Sequence, residues 1–155
     1  MVSPMNSSPL RILLAEDNAA HAKLVIRSFE GHHPASSVVH VTDGEAVLDY
    51  LLRRRDYQNA SEFPRPDILL LDLKLPKVDG LSVLKVIKST DELRLLPVII
   101  LSTSKAHDDV TQAYQLSANS YLVKPTDFNQ FSKMIDDLGS YWLFWTRSPI
   151  DAVVH

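Results

Sequence analysis

Three carboxylates, a hydroxyl and a lysine stand where apolar runs of this 155-residue chain stop. Glu16 and Asp17 follow the run at 10–15, Asp72 the run at 68–71, Ser102 the run at 98–101, and Lys124 the run at 121–123. Carboxylates crowded together repel, and their pKa values rise unless a cation neutralises them. A hard divalent ion with oxygen ligands meets that need. Mg²⁺ typically takes one or two carboxylates, a carbonyl or water, and a phosphate oxygen. The chain has no cysteine and no paired-histidine spacing, which disfavours a softer metal. Taken singly, each residue has a plainer reading. An acid after a strand caps a helix, a lysine before Pro125 is a solvated loop residue, and a serine bonds a nearby amide. Those readings do not explain acid pair, central acid, hydroxyl and lysine in order at successive run ends.

The elements that must position these groups follow from periodicity. The runs at 10–15, 38–41, 68–71, 98–101 and 121–123 are short and nearly all apolar, as strands buried on both faces are. Between them apolar residues recur at helical spacing. Ala22, Val25, Ile26 and Phe29 follow a cap at Asn18, and that helix is expected to end at Gly31 and Pro34. Asp43-Gly44 reads as a turn, after which Ala46, Val47, Tyr50 and Leu51 form a second helix extending into Arg53-Arg54-Arg55, cations favoured at a helix C-terminus. Leu81, Leu84, Val86 and Ile87 mark a third helix, residues 108–116 a fourth, and Phe128, Phe131, Ile135, Leu138 and Trp142 a fifth. Five alternations imply a parallel sheet with helices on both faces. The expectation is the flavodoxin-like (βα)5 fold, a doubly wound α/β sheet in the order 2-1-3-4-5, with ligands beyond the carboxyl ends of the strands.

Length, 45% hydrophobic and 23% charged composition fit one globular domain. Residues 1–9 read as a flexible lead, 10–140 as the domain, and 141–155 as an aromatic C-terminal extension. A net charge of −3 gives no broad attraction to nucleic acid or to an anionic membrane, so neither is an expected partner. No apolar run approaches the ~18 residues of a membrane span, and a cytoplasmic location is expected.

The segments Glu16-Asp17-Asn18, Asp72 with Pro76 and Asp79-Gly80, Pro97-Val98-Ile99-Ile100-Leu101-Ser102, and Tyr121-Leu122-Val123-Lys124-Pro125 resemble the receiver domain of bacterial response regulators. The connection through Arg53-Arg54-Arg55 and Pro64-Arg65-Pro66, with Asn119-Ser120-Tyr121 and Tyr141-Trp142-Leu143, is similar to the small response regulators paired with cyanobacterial phytochromes. The resemblance implies a signalling switch in a two-component phosphorelay, not an enzyme acting on a separate substrate. It implies phosphorylation of Asp72 by a phytochrome-type sensor histidine kinase, with the domain catalysing its own phosphorylation and dephosphorylation. Glu16, Asp17 and the Lys74 backbone carbonyl would hold Mg²⁺ with Asp72. Ser102 would be the switch hydroxyl, Tyr121 the switch aromatic and Lys124 the phosphate contact. Lys74 and Ser104, each two residues past a reacting group, would flank the approach of water and tune the phosphate lifetime.

Two other readings stay open at this point: a phosphatase with an aspartyl nucleophile, and a receiver-like module that binds partners unphosphorylated. The first would place a second acid two residues after the nucleophile as general acid-base, where this chain has Lys74. Tyr141, Trp142, Phe144 and Trp145 crowd four aromatics into five residues, more than one helical face accommodates. Aromatics concentrate at interface cores, and a homodimer through this region is expected. The six histidines read as incidental, His21 included, since Mg²⁺ prefers oxygen.

Overall fold

The computed structural model describes residues 10–32 and 36–144. Its strands β1 (Arg11–Ala15), β2 (Ser37–Val41), β3 (Ile68–Leu71), β4 (Val98–Ser102) and β5 (Ser120–Val123) form one parallel sheet in the order β2-β1-β3-β4-β5. Helices α1 (Ala19–His32), α2 (Gly44–Leu51), α3 (Gly80–Ser89), α4 (His107–Gln115) and α5 (Phe128–Phe144) alternate with them. The expected fold and strand order are both present. No helix among the described residues is long and apolar enough to cross a membrane.

Alternation along each strand divides the core. Leu13, Leu69, Leu71, Val98 and Ile100 face the layer of α2, α3 and α4. Ile12, Leu14, Ile68, Leu70, Ile99 and Leu101 face α1 and α5, where Phe29, Phe131 and Ile135 close the layer. All four residues of β3 are buried, as the central strand of a doubly wound sheet must be.

Side-chain caps start the helices on the site side. Asn18 Oδ1 accepts the His21 N–H at 3.0 Å, Asp43 Oδ1 the Ala46 N–H at 2.7 Å, and Asp79 Oδ1 the Ser82 N–H at 2.9 Å. The Asp43-Gly44 pair is therefore the start of α2 rather than a free turn. At the other end α2 does not continue through the arginines. Arg53 has φ 56°, its N–H donates to the Tyr50 carbonyl, and the Arg54 N–H donates to the Asp49 carbonyl. This is a Schellman ending in which an arginine adopts the left-handed conformation usually left to glycine. Arg54 and Arg55 turn back onto buried Asp49, each Nε 3.2 Å from a carboxylate oxygen, so the basic run is folded into the domain as an ion-pair clamp. α1 ends at His32, between Gly31 and Pro34, where the sequence places its end.

Two glycines set the height of the loop after β3. A Cβ on Gly80 would sit 2.4 Å from the Asp72 carbonyl oxygen, and one on Gly44 only 1.8 Å from that of Val78. The Gly80 N–H donates to the Leu73 carbonyl at 2.8 Å and the Gly44 N–H to the Pro76 carbonyl at 3.2 Å. Backbone against backbone leaves no side chain to yield, so this loop is pinned from two helices. Gly80→Ala is therefore expected to lower unfolding free energy by about 1–3 kcal/mol. Gly31→Ala, whose Cβ meets nothing within 4 Å, should raise it by about 0.5 kcal/mol. Urea unfolding of the two variants against the parent measures both signs.

Candidate functional site

The sheet register assembles the site. Ala15 pairs with Leu71 across β1 and β3, so the next residues, Glu16 and Asp72, leave the sheet side by side. The Asp72 N–H still donates to the Ala15 carbonyl at 3.1 Å. Leu71 pairs with Ile100 and Ser102 with Val123, and the Lys124 N–H donates to the Ser102 carbonyl at 2.8 Å. Four strand ends thus deliver their polar residues to one rim. Glu16, Asp72, Ser102 and Lys124 are buried there, while Asp17 is exposed.

Carboxylate oxygens of Glu16, Asp17 and Asp72 lie within 4.8 Å of one another. The Lys124 ammonium stands among them, donating to Glu16 Oε1 and, at 3.0 Å, to Asp72 Oδ2. The second oxygen of each carboxylate also accepts a hydrogen bond. Glu16 Oε2 accepts the Asn18 N–H at 3.1 Å and Asp72 Oδ1 the Lys74 N–H at 3.1 Å. His40 Nε2 lies 2.8 Å from the Glu16 carbonyl oxygen, and as the ring is the only possible donor of the two, it donates. A buried carboxylate is costly unless paired and hydrogen-bonded, and this one is both. Burial nonetheless dominates for Glu16. It pushes the carboxyl from 4.5 up to about 7, against the opposing pull of the Lys124 hydrogen bond and charge and with the help of the Asp72 charge.

Ser102 carries a second network. Its Oγ accepts the Ser104 N–H at 3.1 Å. Ser104 Oγ donates to Asp109 Oδ2 at 2.5 Å and accepts the Ala106 N–H at 3.2 Å. The half-buried Tyr121 reaches back from β5 and donates its hydroxyl to the Ser104 carbonyl at 2.9 Å. The β4–α4 connection is thus tied at both ends to residues singled out in the sequence.

Two residues that sequence reasoning passed over belong here. Asp109 holds Ser104 from the first turn of α4, a contact with no local sequence signal. His21, one turn beyond Asp17, has Nδ1 3.2 Å from Lys124 Nζ, with its ring 5.6 Å from that of Phe131. Burial, then the Lys124 charge, lowers its pKa. The aromatic residues expected at an interface are elsewhere. Tyr141 and Trp142 lie some 20 Å further along α5 from its start, by helical rise. Trp142 packs against the core of its own domain, whereas Tyr141 is 59% exposed. Trp145 and the side chain of Phe144 lie outside the described residues.

The residues so gathered match a known family. A model of the response regulator receiver domain matches residues 12–136. This chain belongs to that family. The receiver domain is 45% identical over 141 residues to the probable methanogenesis regulatory protein FilR2 of Methanothrix harundinacea, across 91% of this chain and 88% of FilR2. It is 37% identical over 148 residues to response regulator Rcp1 of Synechocystis sp., across 96% of this chain and 99% of Rcp1. The crystal structure of the Mn²⁺-bound form of Rcp1 superposes with a TM-score of 0.85, covering 91% of this receiver domain and 99% of Rcp1. That of the phosphorylated cyanobacterial phytochrome response regulator RcpA does so at 0.86 and 37% identity, covering 91% and 99%. The likeness to single-domain phytochrome regulators, read first from loop and tail residues, thus extends along nearly the whole chain.

The raised Glu16 pKa gives the receiver domain a pH signature when no divalent ion is present. A folded-state pKa above the unfolded value means that the native state binds the extra proton between them. Stability from this group is therefore complete below about pH 4.5 and is lost as pH rises through about 7. Each pKa unit corresponds to ~1.4 kcal/mol, so the loss is on the order of 3 kcal/mol. Urea unfolding in a chelator at a series of pH values should show this decline, and Glu16→Gln should flatten it.

Proposed function

We propose that Asp72 accepts a phosphoryl group from the phosphohistidine of a sensor histidine kinase, and that the resulting acyl phosphate switches the conformation and partner binding of this response regulator. The observation that carries the reading is the ammonium of Lys124, 3.0 Å from Asp72 Oδ2 and buried among three acids whose oxygens lie within 4.8 Å of one another. An Asp72 oxygen attacks phosphorus, the P–N bond breaks, and its electron pair leaves on the donor imidazole. Lys124, pre-aimed at Asp72, neutralises charge on the phosphoryl oxygens.

The donor set suits a hard divalent ion: all oxygen, clustered, and already drawing a cation onto two of its members. Glu16, Asp17, Asp72 and the Lys74 carbonyl would hold Mg²⁺, which when bound supplies further neutralisation of phosphoryl charge. Mn²⁺ in Rcp1 and the phosphorylated state of RcpA support this reading. The same relatives support a phytochrome-type kinase as partner. The absence of a membrane-crossing helix among the described residues is consistent with action in the cytoplasm.

The switch follows from the second network. To donate to the acyl phosphate, the Ser102 hydroxyl turns from the position in which it holds the Ser104 N–H, and Tyr121, bonded to the same loop, adjusts with it. Hydrogen bonds to a charged group contribute ~1.5–3 kcal/mol each, so those from Ser102 and Lys124 supply ~3–6 kcal/mol. Inverting a 1:99 equilibrium takes ~5.5 kcal/mol. Phosphorylation therefore nearly suffices, and a partner or second copy completes the shift. Hydrolysis of the acyl phosphate resets the domain, and Lys74 and Ser104 set its pace.

The second copy docks at the far end of α5. Leu122, Met134, Leu138 and Tyr141 line a cavity of about 600 Å³ beside β5, flanked by Lys133 and Asp137 of opposite charge. A pair of such faces is self-complementary, as a two-fold interface requires. Sedimentation at micromolar concentration should find a dimer that Tyr141→Arg dissociates. A parent that sediments only as monomer, with and without phosphorylation, removes this part of the reading. For the central claim, incubation with Mg²⁺ and acetyl phosphate should raise the intact mass by one phosphoryl group. Asp72→Asn should abolish the increase; a variant that still gains it refutes Asp72 as acceptor.

A further inference from the structure

His21 completes the coordination of the Lys124 ammonium. An ammonium has three N–H donors and no acceptor. Two of those of Lys124 go to Glu16 Oε1 and Asp72 Oδ2, and His21 Nδ1 stands 3.2 Å from Nζ. Since Nζ can only donate, Nδ1 must accept, which places the ring proton on Nε2 and leaves the imidazole neutral. A protonated ring would set two cations at that distance.

The imidazole is itself held. Its centroid lies 5.6 Å from that of Phe131, at 55° between planes, and Phe131 is buried in the α1–α5 layer. The His21 backbone N–H is tied to the Asn18 cap at 3.0 Å. The Lys124 side chain is a flexible four-carbon stem that loses rotamer freedom when fixed. It arrives from beyond β5 and crosses to acids at the ends of β1 and β3. The third bond comes from α1, so Nζ is fixed from three sides rather than two.

We propose that His21 is a positioning residue for Lys124: it aims the ammonium at Asp72 and, as the one uncharged acceptor of the three, is the partner released when Lys124 turns to a phosphoryl oxygen. The inference rests on the reading of Asp72 as phosphoacceptor. His21 and Lys124 both line a cleft of about 690 Å³ between the β4–α4 loop and the start of α5, so the exchange of partners takes place at an opening.

Two substitutions separate positioning from packing. His21→Phe keeps a ring against Phe131 and removes the acceptor, while His21→Asn gives up the ring and offers an amide oxygen near the place of Nδ1. Phosphorylation of Asp72 by acetyl phosphate, followed by intact mass, should slow roughly three- to tenfold in His21→Phe, the equivalent of one neutral hydrogen bond. His21→Asn should recover to within about twofold of the parent. An unchanged rate in His21→Phe, or a slow His21→Asn beside a normal His21→Phe, overturns the proposal. Nitrogen-15 spectra of the histidine rings at pH 8 test the contact without any phosphoryl transfer. The His21 ring should be the Nε2–H tautomer, with an Nδ1 resonance that moves in Lys124→Met; an Nδ1–H tautomer or an unmoved resonance overturns it. If the parent takes up no phosphoryl group at all, the reading of Asp72 fails, and the ring spectra still decide whether His21 holds Lys124.

Discussion

A lysine ammonium buried among carboxylates is the interaction on which this molecule turns. Removing Lys124 from water is costly on its own, and so is burying Glu16 beside Asp72; each is tolerable only because the other is there. That mutual dependence demands placement to a fraction of an ångström, which flexible loops do not provide. The parallel register provides it. Glu16 and Asp72 emerge from neighbouring strands in step, and the backbone N–H of Lys124 remains bonded to Ser102, so the rim of the sheet is still partly sheet where the chemistry begins. The loop above it is pressed down by two glycines whose replacement by any larger residue would strike backbone. A rigid floor and a pinned loop hold the acids in place for the ammonium.

The parts proposed to switch are built from different material. Around Ser102 the contacts are part-buried hydrogen bonds between a serine, a second serine, an aspartate on a helix start and a tyrosine hydroxyl, all neutral but the one to Asp109. Each contributes modestly and each can be exchanged for another of similar strength. In the proposed reading the strong, buried pair fixes where a phosphoryl group goes, and the weaker, part-buried network carries the response. An arrangement with those roles reversed would hold its output rigid and its reactive groups loose.

Much of this was legible from residue order. The five strands announced themselves as short, nearly all apolar runs, the central ones buried on both faces, and polar ends on four of them marked the rim. Asn18 was read as a helix cap and is one, whereas Asp43, read as part of a turn, and Asp79 proved to cap α2 and α3. The misreadings have local physical causes. Three arginines after a helical stretch read as a helix end with favourable charge, yet Arg53 takes a left-handed conformation that arginine sequence does not advertise, and buried Asp49 draws Arg54 and Arg55 back. Asp109 escaped notice because its partner lies across a loop. His21 was weighed only as a metal ligand and set aside, since Mg²⁺ prefers oxygen, when its neighbour in space is a lysine 103 residues away.

The bonds that join β5 to the acids span great lengths of chain: Lys124 is 108 residues from Glu16 and 52 from Asp72. Closing such loops is among the slowest acts of folding, since entropy is lost before any contact repays it. The reactive centre therefore comes into being only when the fifth strand has docked and the molecule is whole. A nascent chain still lacking that strand, or one clipped before it, has the carboxylates but not the ammonium that disciplines them. Signalling competence is in this way a certificate of complete folding, issued by geometry and requiring no separate proofreading.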